Sequence, residues 1–231
     1  FIGPSLIYNL TAESIGVTSV TLKWVVNGST LGPYTYRVEV VSGTPVKNLT
    51  LSDTKAEIAE LLPGTLYTFT VFAVAADDET EGEGVSIAQY TRPSQVVDLE
   101  AESIGVTSVT LQWVVNDNAS DSYSYRVEVV NGTSVRNLTF NETKAEIAEL
   151  LPGTLYTFTV FAVAADDETE GEGVSIALYT RPSLIYNLTA ESIGVTSVTL
   201  KWAVNGSDSG SYTYRVEVVN GTDDTPVKNL T

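Results

Sequence analysis

The sequence predicts an all-β fold, a tandem array of seven-stranded antiparallel β-sandwiches, and three observations predict it. Tryptophan stands at Trp24, Trp113 and Trp202, at two equal intervals of 89 residues. Around each tryptophan the sequence recurs almost verbatim, as Glu13-Ser-Ile-Gly-Val-Thr-Ser-Val-Thr-Leu-Lys-Trp24 shows, and Leu61-Leu-Pro-Gly-Thr-Leu-Tyr67 returns at 150–156. Within each repeat, apolar residues fall at every second position. A fixed period sets the domain count before any local reading, and this one exceeds the roughly 20–50 residues of solenoid units. Each unit is therefore expected to hold its own core, with boundaries at 1–91, 92–180 and 181–231.

The strands follow in order along the first repeat. Leu10 turns inward and Asn9 outward. Val20, Leu22 and Trp24 alternate with Thr21 and Lys23, and Tyr36, Val38 and Val40 alternate with Arg37 and Glu39. Leu49 points inward beside Asn48. In 54–62, Ala56 and Ile58 alternate with Lys55, Glu57 and Ala59, which reads as strand rather than helix. Tyr67, Phe69, Val71 and Ala73 follow, and 85–91 closes the set. Period two marks strands with one face in a core and one toward water. Val, Thr, Tyr and Ile suit that half-buried surface. Breaks at Asn27-Gly28, Ser42-Gly43 and Pro63-Gly64, and across 77–84, space the strands at the short intervals of a sandwich. Trp24 is expected between the two sheets, with Tyr36, Val38, Phe69 and Val71 around it.

The third repeat stops at Thr231, which aligns with Thr50, and carries no equivalent of 51–91. The chain has no methionine, so Phe1 is expected to follow a processed or excised boundary. No basic-apolar leader and no apolar run of spanning length occurs. Strands supplied by continuation of the chain, or by a neighbour, are expected to cover the inner face of repeat 3. Between repeats 1 and 2, Thr91-Arg92-Pro93-Ser94 is expected to form an extended, semi-rigid junction with little contact between the repeats, since proline fixes φ.

A hydrophobic content of 43% with 9% aromatics is that of a globular protein. About 90 residues can bury a core without staples, so the lack of cysteine does not place the chain inside the cell. The net charge of −17 opposes nucleic acid and anionic membrane surfaces as partners.

The Trp on the second strand, the Tyr36-x-Val38-x-Val40 strand and Leu61-x-Pro63-Gly64-Thr65-x-Tyr67 resemble a fibronectin type III domain, an immunoglobulin-like sandwich. The Leu-x-Pro-Gly-Thr-x-Tyr segment matches a tyrosine corner, in which the Tyr hydroxyl bonds to upstream backbone. More narrowly, Asn9-Leu-Thr-Ala-Glu-Ser-Ile, the segment from Leu62-Pro-Gly-Thr through Val74-Ala-Ala, and Glu81-Gly-Glu-Gly-Val-Ser-Ile are similar to ectodomain repeats of receptor-type tyrosine phosphatases of the vascular endothelial group. That resemblance implies a parent with an extracellular array, one membrane span and a cytoplasmic phosphatase. The phosphatase's cysteine nucleophile is not in this chain, which contains no cysteine.

Of twelve asparagines, eleven open an Asn-x-Ser/Thr triplet without proline: Asn9, Asn27, Asn48, Asn118, Asn131, Asn137, Asn141, Asn187, Asn205, Asn220 and Asn229. Duplication of a Thr-rich sequence inflates such a count. It does not explain Asn118, Asn131 or Asn141, which lie where repeat 1 has none. The triplet implies N-glycans on exposed asparagines of a secreted or cell-surface protein.

Without histidine or cysteine, catalytic triads, Cys-His pairs, His-ligated metals and thiolate zinc sites are all excluded. No cofactor is expected. The densest acids are Asp77, Asp78, Glu79, Glu81 and Glu83, repeated as Asp166, Asp167, Glu168, Glu170 and Glu172. Oxygen ligands of this kind suit calcium, yet the spacing lacks the order of a calcium loop, and the flanking glycines read as a mobile, solvated hairpin. Lys23, Arg37 and Lys55 read as ordinary solvent-face charges. The loop after the tryptophan strand differs among the repeats, as a loop free of packing constraint is able to. Together these readings give an extracellular, glycan-coated array acting as spacer or recognition ectodomain, with a protein partner or self-association through sandwich surfaces. A self-assembling surface filament and an accessory module of a secreted carbohydrase are the alternatives.

Overall fold

Among the described residues of repeat 1, the alternation produces seven strands: β1 (Leu6–Ile15), β2 (Val20–Asn27), β3 (Thr35–Ser42), β4 (Thr44–Leu51), β5 (Lys55–Ile58), β6 (Leu66–Val74) and β7 (Val85–Tyr90). The computed structural model describes residues 6–27, 34–75, 80–205, 212–219, 221 and 226–230. Strands β1-β2-β5 form one sheet and β4-β3-β6-β7 the other, and the strands pair antiparallel in both. The segment read as strand in 54–62 is β5, paired to β2 through Leu22 and Ala56.

Repeat 2 has the same order. Its strands are β8 (Val97–Ile104), β9 (Val109–Val114), β10 (Ser124–Asn131), β11 (Ser134–Phe140), β12 (Lys144–Ile147), β13 (Leu155–Val163) and β14 (Val174–Tyr179). They form the sheets β12-β9-β8 and β11-β10-β13-β14. Downstream, β15 (Ile185–Ile193) pairs with β16 (Val198–Val204), and β17 (Val216–Val219) with β18 (Pro226–Leu230). The chain groups into two compact units. One is Phe1–Glu100 with Gln112–Ala145 and Thr157–Ile176; the other is Ala101–Leu111 with Glu146–Tyr156 and Ala177–Thr231, so the division falls within the second sequence repeat. No helix among the described residues is long and apolar enough to cross a membrane.

The core of repeat 1 sits between its sheets, where period two sends alternate side chains. Trp24 is buried edge-on to Tyr36, with ring centroids 5.5 Å apart at 67°, a geometry aromatic quadrupoles favour. Val38, Phe69 and Val71 belong to the same buried cluster, as the pattern predicts. Trp113 meets Tyr125 in the same way at 5.3 Å. The indole Nε1 of Trp24 and of Trp113 is buried without a hydrogen-bond partner, so these tryptophans are held by packing alone.

One departure from regular strand recurs with the period. In β1, Asn9 takes φ 52° where the register shifts between Tyr8 and Thr11. Asp98 and Asn187 hold the same position at φ 53° and 55°. Asn and Asp tolerate this left-handed conformation better than other side chains. In repeat 3, Trp202 and Tyr214 keep their edge-on pairing at 5.3 Å, but the inner face is open. Val198 is 57% exposed, whereas its counterpart Val20 is fully buried. Leu188, Leu200, Trp202, Tyr214 and Val216 line an open cavity of about 190 Å³.

Candidate functional site

The Pro-Gly turns are fixed from two directions. The backbone amide of Leu62 donates to the Tyr67 hydroxyl at 2.9 Å, and that of Leu151 to Tyr156 at 2.9 Å. These are the tyrosine corners that the sequence resemblance implies. A threonine at the end of each last strand completes them. Buried Thr91 donates its hydroxyl to Leu62 O at 2.6 Å and accepts from the Thr65 amide at 3.0 Å. Thr180 does the same with Leu151 O and the Thr154 amide at 2.6 and 2.9 Å. The sequence reading missed both threonines, because their partners lie 26 to 29 residues away.

The outer face of the four-stranded sheet carries the most developed polar arrangement. Cross-strand register sets Arg37 of β3 opposite Phe72 of β6. The guanidinium lies 4.0 Å over the Phe72 ring centroid, a cation–π contact. Arg37 Nε and Nη2 donate to Glu81 Oε1 and Oε2 at 2.6 and 2.8 Å, the two-pronged geometry in which such pairs are strongest. Nη1 donates to Asn48 Oδ1 at 3.3 Å. Repeat 2 reproduces every member: Arg126 lies 3.9 Å over Phe161, bonds Glu170 at 2.6 and 2.8 Å and bonds Asn137 at 2.9 Å. The hydrogen bond from Arg37 lowers the Glu81 carboxyl from its ordinary range, against burial that acts to raise it. Glu81 in turn raises Arg37. A side chain at Gly84 would strike Phe72 and Thr70, and one at Gly173 would strike Phe161 and Thr159.

This arrangement corrects two expectations. Arg37 is not an ordinary solvent-face charge, since its guanidinium is stacked and doubly bonded. Lys23 and Lys55 are exposed and both pair with Glu13, surface pairs of little weight. The acidic segment is not simply solvated either. Glu81 and Glu170 are anchored by arginine, and the glycines behind them make room for an aromatic ring. Asp77, Asp78 and Glu79 lie outside the described residues. In repeat 2, Asp166 accepts from the amides of Glu168 and Thr169 at 3.2 and 2.9 Å and from the Thr169 hydroxyl at 2.6 Å. Burial raises its carboxyl, but these bonds prevail and the net direction is down. Among the described residues no group of three or more acids is placed to hold a metal ion.

The candidate acceptor asparagines are dispersed rather than brought together. Asn9, Asn48, Asn118, Asn137, Asn141, Asn187, Asn205 and Asn229 are exposed, and Asn131 is half-buried. Asn27 ends β2, and Asn220 lies outside the described residues. Leu10 is buried beside exposed Asn9, where the bulge interrupts the alternation, and Leu49 packs on the core beside exposed Asn48, as alternation requires. Asn48 and Asn137 present Oδ1 to arginine, and that bond leaves Nδ2, the atom a glycan would join, unengaged by it. Asn9 and Asn187 also take the left-handed conformation at a register shift, and Asp98 takes the same conformation in repeat 2 without any acceptor motif.

Comparison with known proteins agrees with this geometry. The family model described as "Fibronectin type III domain" matches residues 4–87 and 92–176. Receptor-type tyrosine-protein phosphatase eta of Gallus gallus is 60% identical over 94% of this chain, which spans 15% of that protein. The eta phosphatase of Homo sapiens is 35% identical over 68% of the chain, which spans 12% of it. Receptor-type tyrosine-protein phosphatase H of Homo sapiens is 30% identical over 94% of the chain, which spans 20% of it. A solved two-domain fibronectin type III segment of chicken tenascin superposes with a TM-score of 0.51 at 22% identity, covering 75% of this chain and 99% of the tenascin chain.

Proposed function

The chain belongs to the fibronectin type III family, and we propose that it forms part of the extracellular region of a receptor-type tyrosine phosphatase, as a glycan-bearing spacer and recognition segment. The segment itself is a non-catalytic run of fibronectin type III repeats. The observation that carries the reading is its likeness to receptor-type phosphatases along nearly its whole length. Exposed acceptor asparagines support the glycans, because an Asn-x-Ser/Thr triplet requires a surface position in a secreted segment. The strong negative charge favours a protein partner over nucleic acid. Phosphate-ester chemistry falls to residues outside this segment, which has neither cysteine nor histidine.

Labelling of intact cells with a membrane-impermeant amine reagent tests the placement, since exposed lysines such as Lys23 and Lys55 are available to it. The expected result is labelled protein from intact cells. Labelling only after permeabilisation would place the segment on the wrong side of the membrane.

A further inference from the structure

Tyr34, Tyr123 and Tyr212 recur with the 89-residue period just before the third strand of each repeat, and two of them rest on the turn of the repeat ahead. Within the first compact unit, the Tyr123 ring covers Gly64, the glycine of repeat 1's Pro-Gly turn, so closely that a side chain there would collide with it. The Tyr123 hydroxyl donates to Asp117 Oδ2 at 2.9 Å, and the same oxygen accepts from the amide of linker residue Ser94 at 2.9 Å. The carbonyl of linker residue Pro93 leaves no room for a side chain at Gly171. Within the second compact unit, Tyr212 covers Gly153 in the same way and donates to Pro152 O at 3.0 Å. Gly64 and Gly153 have φ of +53° and +58°, which already favours glycine; the covering ring is a second, separate demand. Tyr123 is only 4% exposed, although it sits at the end of its own sandwich. Tyr34, at the same position in repeat 1, is half-buried.

We propose that this tyrosine is a docking residue whose partner is the Pro-Gly turn of the preceding fibronectin type III repeat, so that each repeat stabilises the turn of the one ahead. The contact is of a suitable kind. An aromatic ring with one polar tip buries area at low entropic cost, and the glycine lets it approach the backbone. The turn it meets is already stiffened by the tyrosine corner and by Thr91 or Thr180. The junction thus carries one specific contact beside the extended linker.

Amide hydrogen exchange of the full chain tests this with Tyr123→Ala, read at 62–65, and Tyr212→Ala, read at 151–154. In both cases the turn that reports lies in a different repeat from the substitution. The expected result is exchange faster by roughly tenfold at the preceding turn, with Tyr123→Phe, which keeps the ring, closer to wild type. Amides of β10 and β16 monitor the variant's own repeat, and Tyr212, on an open half-sandwich, reports even if Tyr123→Ala loosens repeat 2. Unchanged exchange at either turn would overturn the proposal.

Discussion

The guanidinium of Arg37 lies 4.0 Å over the ring of Phe72 while both prongs hold the Glu81 carboxylate at 2.6 and 2.8 Å. One side chain thereby ties strand β3 to strand β6 and to the segment that leads into β7. The identical set in repeat 2 shows that it belongs to the design of the unit rather than to one surface.

Glu81→Gln keeps the shape and removes the charge. The Glu81 carboxyl is lowered from its ordinary value of 4.5, so its contribution is fully present above that pH and is lost as pH falls through the lower folded value. Repeat 1 of the variant should be less stable than wild type by about 1 kcal/mol at pH 7, a figure kept small because both partners are partly exposed. The difference should shrink progressively as pH falls below 4.5. Urea unfolding of both proteins at pH 7 and across a series of acid pH values checks this, and a difference that does not diminish with acid would contradict the ionic origin.

Trp24→Ala should cost about 3–5 kcal/mol, because it empties the centre of the cluster containing Tyr36, Val38, Phe69 and Val71. Trp24→Phe should cost less, since it keeps an aromatic ring and deletes the unpaired buried N–H. Equilibrium denaturation compares the two. A loss below about 1 kcal/mol for the alanine variant would mean that the inward packing is wrong.

Particular residues show what could be read from sequence and what could not. The inward set Val20, Leu22, Trp24, Tyr36, Val38, Phe69 and Val71 was legible because period two and burial are the same fact seen in sequence and in space. The tyrosine corner was legible because its motif is local. Arg37 was misjudged because its partners depend on the register of β3 against β6 and on a carboxylate 44 residues away, neither of which alternation specifies. Gly84 reads in sequence as part of a mobile, solvated hairpin, since a glycine needed for room looks there like one needed for freedom. Tyr123 carried a signal, its recurrence at Tyr34 and Tyr212, but only the folded arrangement shows what the ring covers.

The central claim is that the exposed Asn-x-Ser/Thr positions carry N-glycans on an extracellular receptor segment. Its most direct test is the intact mass of the chain secreted from eukaryotic cells, measured before and after peptide N-glycosidase treatment. The account predicts a mass well above the 24.8 kDa polypeptide that falls back on treatment, with deamidation at Asn48 and Asn137 among the marked sites. A secreted chain that stays at the polypeptide mass, unchanged by the enzyme, would contradict it.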